Sequence, residues 1–289
     1  MSGVLRSWFV SFFCLVGAVQ SVVYADDIQT YFESFERLAK TENWKEIIIQ
    51  GKKALEEAGS LGQVQAEAKI CAQLTSTAFY QGDYDLALEY AGRCHELSEA
   101  FEDPALFLRA LYLESAVYRA FAGKKNSDEF YSKAVKTAER AVKIYVERNV
   151  KNRVLEGKIY FNLGAAHADN LQGDWNEAKK CYSLALECFK DAGIDDDYVR
   201  TSIRLGKVYL LQGLYEMSQK IVDEVRPLVS SSRLAMHVDY LEAQLKLALG
   251  DQEGAFEIAR RGFSQAEILG AKEDRARFGV LLKARETSD

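Results

Sequence analysis

A short basic segment is the part of this sequence best suited to chemistry with a charged partner. Arg200 and Arg204 are four residues apart, Lys207 follows, and no acidic residue occurs between Val199 and Leu214. On a helix, residues with this spacing project from one face. Guanidinium groups bind carboxylates through two parallel hydrogen bonds. The segment therefore predicts a basic strip that can bind an acidic peptide.

The other reactive residue types are scattered. The chain has three histidines, His95, His167 and His237, and it contains no nucleotide-binding, zinc-protease or CxxC motif. His167 lies on an apolar helix face and is expected to be a core histidine. We therefore predict a protein that is not an enzyme and that needs no cofactor or metal.

The cysteines leave two alternatives open. Cys71 and Cys94 are expected on two antiparallel helices at matching levels, where they can form a disulfide or remain buried thiols. Cys181 and Cys188 are seven residues apart on one helix, too far apart for a disulfide. They are expected to be small core residues.

A repeated segment indicates which elements carry these residues. YQGDYDLALEYA at 80–91 returns as LQGDWNEAKKCY at 171–182 and as LQGLYEMSQKIV at 211–222. In each copy a glycine suits the left-handed end of a helix, and in two copies an aspartate follows it that can cap the next helix. Gly250 and Asp251 repeat the pattern. Apolar residues recur at helical spacing on both sides, so each copy predicts a pair of helices joined by a tight turn.

These segments resemble the tetratricopeptide repeat (TPR) family. The resemblance is carried by Leu205, Gly206, Tyr209 and Gly213 in one copy and by Leu163, Gly164, Gly173, Trp175 and Ala178 in another. The small-residue position recurs at Ile47, Ala87, Ala134, Ala178, Ser218 and Ala255. Its spacing exceeds the TPR length of about 34 residues and is similar to the extended repeats of kinesin light chains and Rap-type peptide sensors. The resemblance implies an all-α, right-handed α-solenoid of about six helical hairpins, with a C-terminal capping helix at 271–286. We expect one such domain over residues 26–289.

The resemblance also implies a concave groove lined by the first helix of each hairpin. The groove residues carried over by repeat phase are Arg109, Tyr112, Lys158, Asn162, Arg200, Arg204 and Lys207. Asn162, Arg200 and Arg204 are similar to part of the carboxylate clamp of cochaperone TPR domains, whereas Tyr112 and Ala116 stand where that clamp has Lys and Asn. The alternative is that these basic residues pair with local acids.

The N-terminal segment and the charge balance give the remaining predictions, on localisation and partners. Residues 1–25 have the layout of a secretory signal, with an apolar run and Val23 and Ala25 before a cleavage site. We therefore expect an exported protein, periplasmic or secreted, that contacts a membrane only if this signal remains uncleaved. Lys and Arg number 37 against 43 Asp and Glu, which disfavours nucleic acid as a partner. A longer exposed loop is expected at 123–131.

The predicted function is an exported interaction scaffold that binds a peptide or protein segment in a partly basic groove. Two alternatives remain at this point: a structural subunit of an envelope or secretion assembly, and a peptide-sensing regulator.

Overall fold

The described part of the protein is all helical. In the computed structural model, residues 28–41, 43–100, 103–170 and 173–286 are described, and these contain no β-strand. They divide into two compact units, unit 1 within Met1–Phe121 and unit 2 within Ala122–Asp289. The predicted signal at 1–25 lies outside the described residues. None of the described helices is long and apolar enough to cross a membrane.

Thirteen α-helices account for the described residues. They are α1 (28–40), α2 (Trp44–Ser60), α3 (Val64–Gln81), α4 (Tyr84–Ala100), α5 (Pro104–Lys125), α6 (Asp128–Glu147), α7 (Arg153–Asp169), α8 (Trp175–Ala192), α9 (Asp195–Leu211), α10 (Tyr215–Val225), α11 (Ser232–Ala248), α12 (Gln252–Ile268) and α13 (Lys272–Glu286). A short 3-10 helix, Arg226–Leu228, follows α10. The described part of the chain therefore holds six helix pairs followed by one C-terminal helix, which confirms the predicted fold class.

The aspartates in the repeated turns act as predicted. Asp83 Oδ1 accepts a hydrogen bond from the Leu86 backbone N–H at 3.2 Å. Asp174 Oδ1 accepts from the backbone N–H of Glu177 at 3.0 Å, and Asp251 Oδ1 accepts from that of Gly254 at 3.0 Å. Each carboxylate satisfies N–H groups that have no partner within the helix.

Three of the four turn glycines take the predicted left-handed conformation. Their φ angles are 78° at Gly82, 74° at Gly213 and 85° at Gly250. Gly173 is different, because glycine is required there by the close approach of another part of the backbone. A Cβ at this position would lie 2.2 Å from the backbone oxygen of His167, so only glycine fits there.

The predicted loop at 123–131 is wrong. Helix α5 continues to Lys125 and α6 begins at Asp128, so only Asn126 and Ser127 lie between the two helices. Asn126 makes the turn with a φ of 50°. Two charge patterns favour the longer helices: Lys124 and Lys125 lie in the last turn of α5, and acidic residues lie in the first turn of α6.

Each unit has its own packed interior. In unit 1 a continuous cluster joins buried residues of α1 to α5, including Phe35, Ile47 and Leu74. In unit 2, several clusters connect successive helices, and Tyr182, Phe189 and Phe278 are among the largest fully buried side chains. Burial of these side chains fixes the relative positions of neighbouring helices within each unit.

The four cysteines of the described chain are buried free thiols. Cys181 and Cys188 are 2% and 1% exposed, as predicted for core residues. Cys71 and Cys94 are fully buried, and burial raises the pKa of each thiol to about 12. Of the two alternatives for this pair, the structure has the thiols.

Candidate functional site

The first helices of successive pairs lie side by side in unit 2. Helix α9 contacts α7 on one side and α11 on the other, and α11 also contacts α13. Lys158 on α7, Arg200 on α9 and His237 on α11 each stand six residues before a small residue, Gly164, Gly206 and Ala243 respectively. Arg277 on α13 follows Asp274 by one turn, as Arg200 follows Asp197. We refer to Lys158, Arg200, Arg204, Lys207, Arg233, His237 and Arg277 as the basic face.

Two of the predicted cations are already paired with acids from elsewhere in the chain. Arg204 Nη1 donates to Asp169 Oδ1 at 3.1 Å, from the end of α7. Lys158 Nζ lies 3.8 Å from Asp197 Oδ2, in the first turn of α9. The acid-free stretch of α9 is therefore partly neutralised, and the alternative of local pairing holds for these two residues.

Arg200 is the exception on this face. Among the residues that the structure describes, it has no ion-pair or hydrogen-bond partner. The repeat explains why. Lys158 meets Asp197 and His237 meets Asp274, each an acid on the next first helix. For Arg200 the corresponding position on α11 is Leu234, which is fully buried.

Arg200 therefore combines a permanent charge with partial exposure. Its side chain is half-buried, so its guanidinium retains donors without a protein acceptor. A charged group of this kind gains most from a ligand carboxylate, because binding does not first have to break an internal ion pair. Lys207, two turns further along α9, is also half-buried.

Asn162 faces inward. It is 6% exposed, and its Nδ2 donates to the backbone oxygen of Lys158 at 2.9 Å. Its amide is thus used within α7 and presents little accessible surface to a ligand. Of the three residues that resemble the carboxylate clamp, Asn162 and Arg204 are bonded within the protein, and Arg200 alone has no such partner among the described residues.

The two predicted groove residues in unit 1 also differ in exposure. Tyr112 is 9% exposed and belongs to the core, so it presents little surface to a ligand. Arg109 is half-buried, and its Nε is buried without a hydrogen-bond partner within the described residues. In unit 1, Arg109 therefore keeps one donor without an acceptor among the described residues, and that Nε is itself buried.

The part of the basic face that lies on α11 and α13 was not predicted from the sequence. Arg233 Nη2 lies 3.8 Å from Asp274 Oδ2, while His237 Nε2 and Arg277 Nη1 lie 3.5 and 3.6 Å from Asp274 Oδ1. Arg277 lies on the helix that was expected to cap the C-terminal end, at 271–286. Extending the repeat phase from Lys158 and Arg200 to α11 and α13 would have pointed to His237 and Arg277.

The described histidines and cysteines do not form a metal site. No group of three potential His, Cys, Asp or Glu ligands occurs within the described residues. His95 Nδ1 lies 4.0 Å from Glu114 Oε2, and its ring packs edge-on against Phe107. His167 is half-buried and thus more accessible than a core histidine.

Comparisons with known proteins give the fold. No protein-family model and no curated protein matched the chain. Among solved structures, a Rap protein complexed with Competence and Sporulation Factor is 14% identical, covers 89% of this chain and 74% of that one, and has a TM-score of 0.65. The apo form of RapI is 13% identical over 89% and 95% of the two chains, with a TM-score of 0.64. A thermophilic TPR protein from Thermus thermophilus is 21% identical over 74% and 98%, with a TM-score of 0.52. The chain therefore has a TPR-like fold.

Proposed function

We propose that this protein is an exported, non-enzymatic scaffold that binds a peptide or protein segment on the basic face of unit 2. The observation that carries the proposal is Arg200, a half-buried guanidinium without a partner among the described residues. It lies on α9, which contacts the first helices α7 and α11 of the neighbouring pairs. An arginine without a counterion is costly to keep partly desolvated, so a ligand that supplies the counterion is favoured.

The fold supports a peptide or protein as the ligand. Stacked helix pairs provide an extended surface on which a chain segment can contact several repeats. The Rap structure with a TM-score of 0.65 is a complex with Competence and Sporulation Factor. A nucleic acid is disfavoured because the chain carries a net charge of −6 and because Lys158 and Arg204 of the basic face are paired with acids of the protein itself.

The pairing pattern refines the expected charge of the ligand. Arg204 and Lys158 already have acidic partners in Asp169 and Asp197. A highly acidic segment would have to compete with both. We therefore expect a segment with one carboxylate at Arg200, either a single acidic side chain or a C-terminal carboxylate, rather than a polyacidic tract.

Export is the second part of the proposal and rests on the sequence. Residues 1–25 have the composition of a secretory signal, and cleavage after Ala25 would leave Asp26 as the first residue. Expression of the full chain in a host with a periplasm, followed by intact-mass measurement of the periplasmic fraction, tests this part. A mass corresponding to residues 26–289 supports export, and an uncleaved cytoplasmic chain contradicts it.

Affinity capture tests the binding part. Residues 26–289 would be immobilised as wild type, as Arg200→Glu/Arg204→Glu, and as Arg260→Glu, an exposed position on α12. Circular dichroism would establish that all three are folded. We expect a segment from the native exported fraction to be retained by the wild type and by the α12 control but lost with the α9 double variant.

A different outcome would favour an alternative function. If the partner survives the α9 changes, contacts outside the basic face hold it. That result would favour a structural subunit of an envelope or secretion assembly. If the captured ligand is a short peptide, a peptide-sensing regulator becomes the favoured form of the proposal.

A further inference from the structure

A groove in unit 1 is lined by α2 and α4, the second helices of the first two pairs. Its volume is about 460 Å³, which is within the range of small-ligand sites, about 300 to 1,000 Å³. Its floor is apolar: Leu55 and Tyr90 are each 7% exposed, and Leu86 is half-buried against the same cluster. The groove therefore offers a dry surface that is large enough for one long side chain.

The charged side chains at the rim of this groove are exposed and do not balance one another. Arg93 Nη2 donates to Glu67 Oε2 at 2.7 Å, so the charge of this arginine is neutralised by an acid of α3. Glu56 and Glu89 have no ion-pair or hydrogen-bond partner among the residues that the structure describes, and Lys52 has none either. Two carboxylates without an internal partner therefore stand against one ammonium group, and the rim has an excess of one negative charge.

The hydroxyl of Tyr90 is a second feature that indicates a ligand. Tyr90 lines the groove and is more than nine-tenths buried, yet its hydroxyl has no hydrogen-bond partner within the described part of the chain. A buried tyrosine hydroxyl usually has one. Burial and then the charge of Glu89 raise the pKa of Tyr90, so the hydroxyl remains neutral. Its oxygen is therefore available as an acceptor to a group that enters the groove.

We propose that this groove binds a lysine or arginine side chain carried by a segment of another protein. The hydrocarbon stem of such a side chain packs on Leu55 and Leu86. Its cationic head lies between Glu56 and Glu89 and donates charge-assisted hydrogen bonds to their carboxylates. A further N–H of the head is donated to the hydroxyl oxygen of Tyr90. The site goes beyond the proposed function, because it lies in unit 1 and takes a ligand of opposite charge.

The three features together select this ligand chemistry. The excess negative charge at the rim favours a cation over an anion. The apolar floor favours a cation with a hydrocarbon stem over a small hydrated ion. Because the stem of lysine or arginine is long, the backbone of the bound segment can remain outside the rim.

Capped peptides test the selection of charge. The probes are acetylated and amidated pentaglycine in which the central residue is lysine, arginine, norleucine or citrulline. Norleucine keeps the stem of lysine without its charge, and citrulline keeps the shape of arginine without its charge. Residues 26–289 would be titrated with each peptide at low ionic strength and followed by saturation-transfer NMR. We expect saturable binding of the lysine and arginine peptides with a Kd of about 1 mM, and binding at least about tenfold weaker for each neutral counterpart.

Substitutions in the groove locate the binding. Glu56→Gln and Glu89→Gln should each weaken binding of the lysine peptide about threefold, and the double variant about tenfold. Tyr90→Phe should weaken it about threefold and leave the urea midpoint of unfolding unchanged, because no internal hydrogen bond is lost. Glu99→Gln is the matched control, since Glu99 is an exposed acid of α4 that does not line the groove. This control should bind the lysine peptide as the wild type does.

Several results would overturn the inference. One is the absence of saturable binding of the lysine and arginine peptides to folded protein, and another is equal binding of the neutral peptides. An equal loss of binding in Glu99→Gln and in the groove variants would reduce the effect to net charge. Free butylamine is the last probe: if it binds as tightly as the lysine peptide, the ligand is a small amine and not a side chain of a protein segment.

The test is independent of the proposed function. The capped peptides carry no carboxylate, so Arg200→Gln should leave their binding unchanged. Failure of the basic face to bind a segment would therefore not affect this site, and failure of this site would not affect the basic face.

Discussion

Alanine at Gly262 tests how tightly α12 and α13 pack, and with them the support of the basic face. A Cβ on Gly262 would lie 2.2 Å from Cζ and 2.4 Å from Cε1 of Phe278. Phe278 is 1% exposed, and its ring packs edge-on against Tyr240 with centroids 5.4 Å apart. The ring is rigid and enclosed, so it has no free space to enter.

Two opposing effects set the magnitude for Gly262→Ala. Overpacking a well-filled core costs about 1–3 kcal/mol, and here the overlap involves several ring atoms. Alanine favours a helix interior over glycine by about 1 kcal/mol. Because the overlap is severe, we expect the clash to win and the free energy of unfolding to fall by about 1–2 kcal/mol.

Gly92→Ala is the matched comparison. Gly92 is also inside a helix, α4, but an added Cβ meets nothing within 4 Å. We expect this variant to gain about 0.5–1 kcal/mol. Urea unfolding followed by circular dichroism would measure both. If Gly262→Ala is as stable as Gly92→Ala, the tight packing between α12 and α13 is refuted.

Three further predictions concern buried charges and thiols. Asp239→Asn should lower the free energy of unfolding by about 1–2 kcal/mol, because the carboxylate is 6% exposed and binds two arginines. The loss is limited because both arginines can turn partly towards water. Urea titration measures it, and an unchanged midpoint would contradict the prediction. Burial raises the pKa of Asp274, but His237 and the neighbouring arginines outweigh it and hold the pKa below its usual range. The stability contributed by the ionised Asp274 carboxylate is present above about pH 4 and is lost as the pH falls through the lowered pKa. The stability difference between wild type and Asp274→Asn should therefore shrink in an acid unfolding series rather than stay constant. Cys71 and Cys94 should resist a thiol reagent at about pH 8 until the protein unfolds, since burial raises the pKa of both to about 12; rapid labelling of the native protein would show that they are accessible.

The helix pairs could be predicted because the signals are local. Asp83, Asp174 and Asp251 cap helices within their own turns, and a repeated turn reveals these positions without knowledge of the packing. The same pattern identified Gly173 as a turn residue, but it did not show why glycine is required there. That requirement comes from the contact with the backbone of His167, which depends on how α7 ends. The turn at Asn126 and Ser127 was misjudged because the extra residues lengthen two helices instead of the connection.

The charge state of the basic face could not be predicted from local signals. Asp169 and Asp197 neutralise Arg204 and Lys158 across neighbouring helices. Such pairs depend on the lateral offset of packed helices, which the spacing within one helix does not define. Arg200 was identified from its own helix, but its lack of a partner became evident only from the position of Leu234.

The binding of peptide carboxylates at Arg200 tests the central claim most directly. Random heptapeptides with a free C-terminal carboxylate, and the same peptides amidated, would be applied to wild type, Arg200→Gln and Arg260→Gln, and the bound fraction would be quantified by mass spectrometry. Arg260 is an exposed arginine on α12 and controls for net charge. The account predicts selective retention of peptides that carry a carboxylate, kept by Arg260→Gln and weakened at least about tenfold by Arg200→Gln. Equal retention by both variants would contradict the basic face as the binding site.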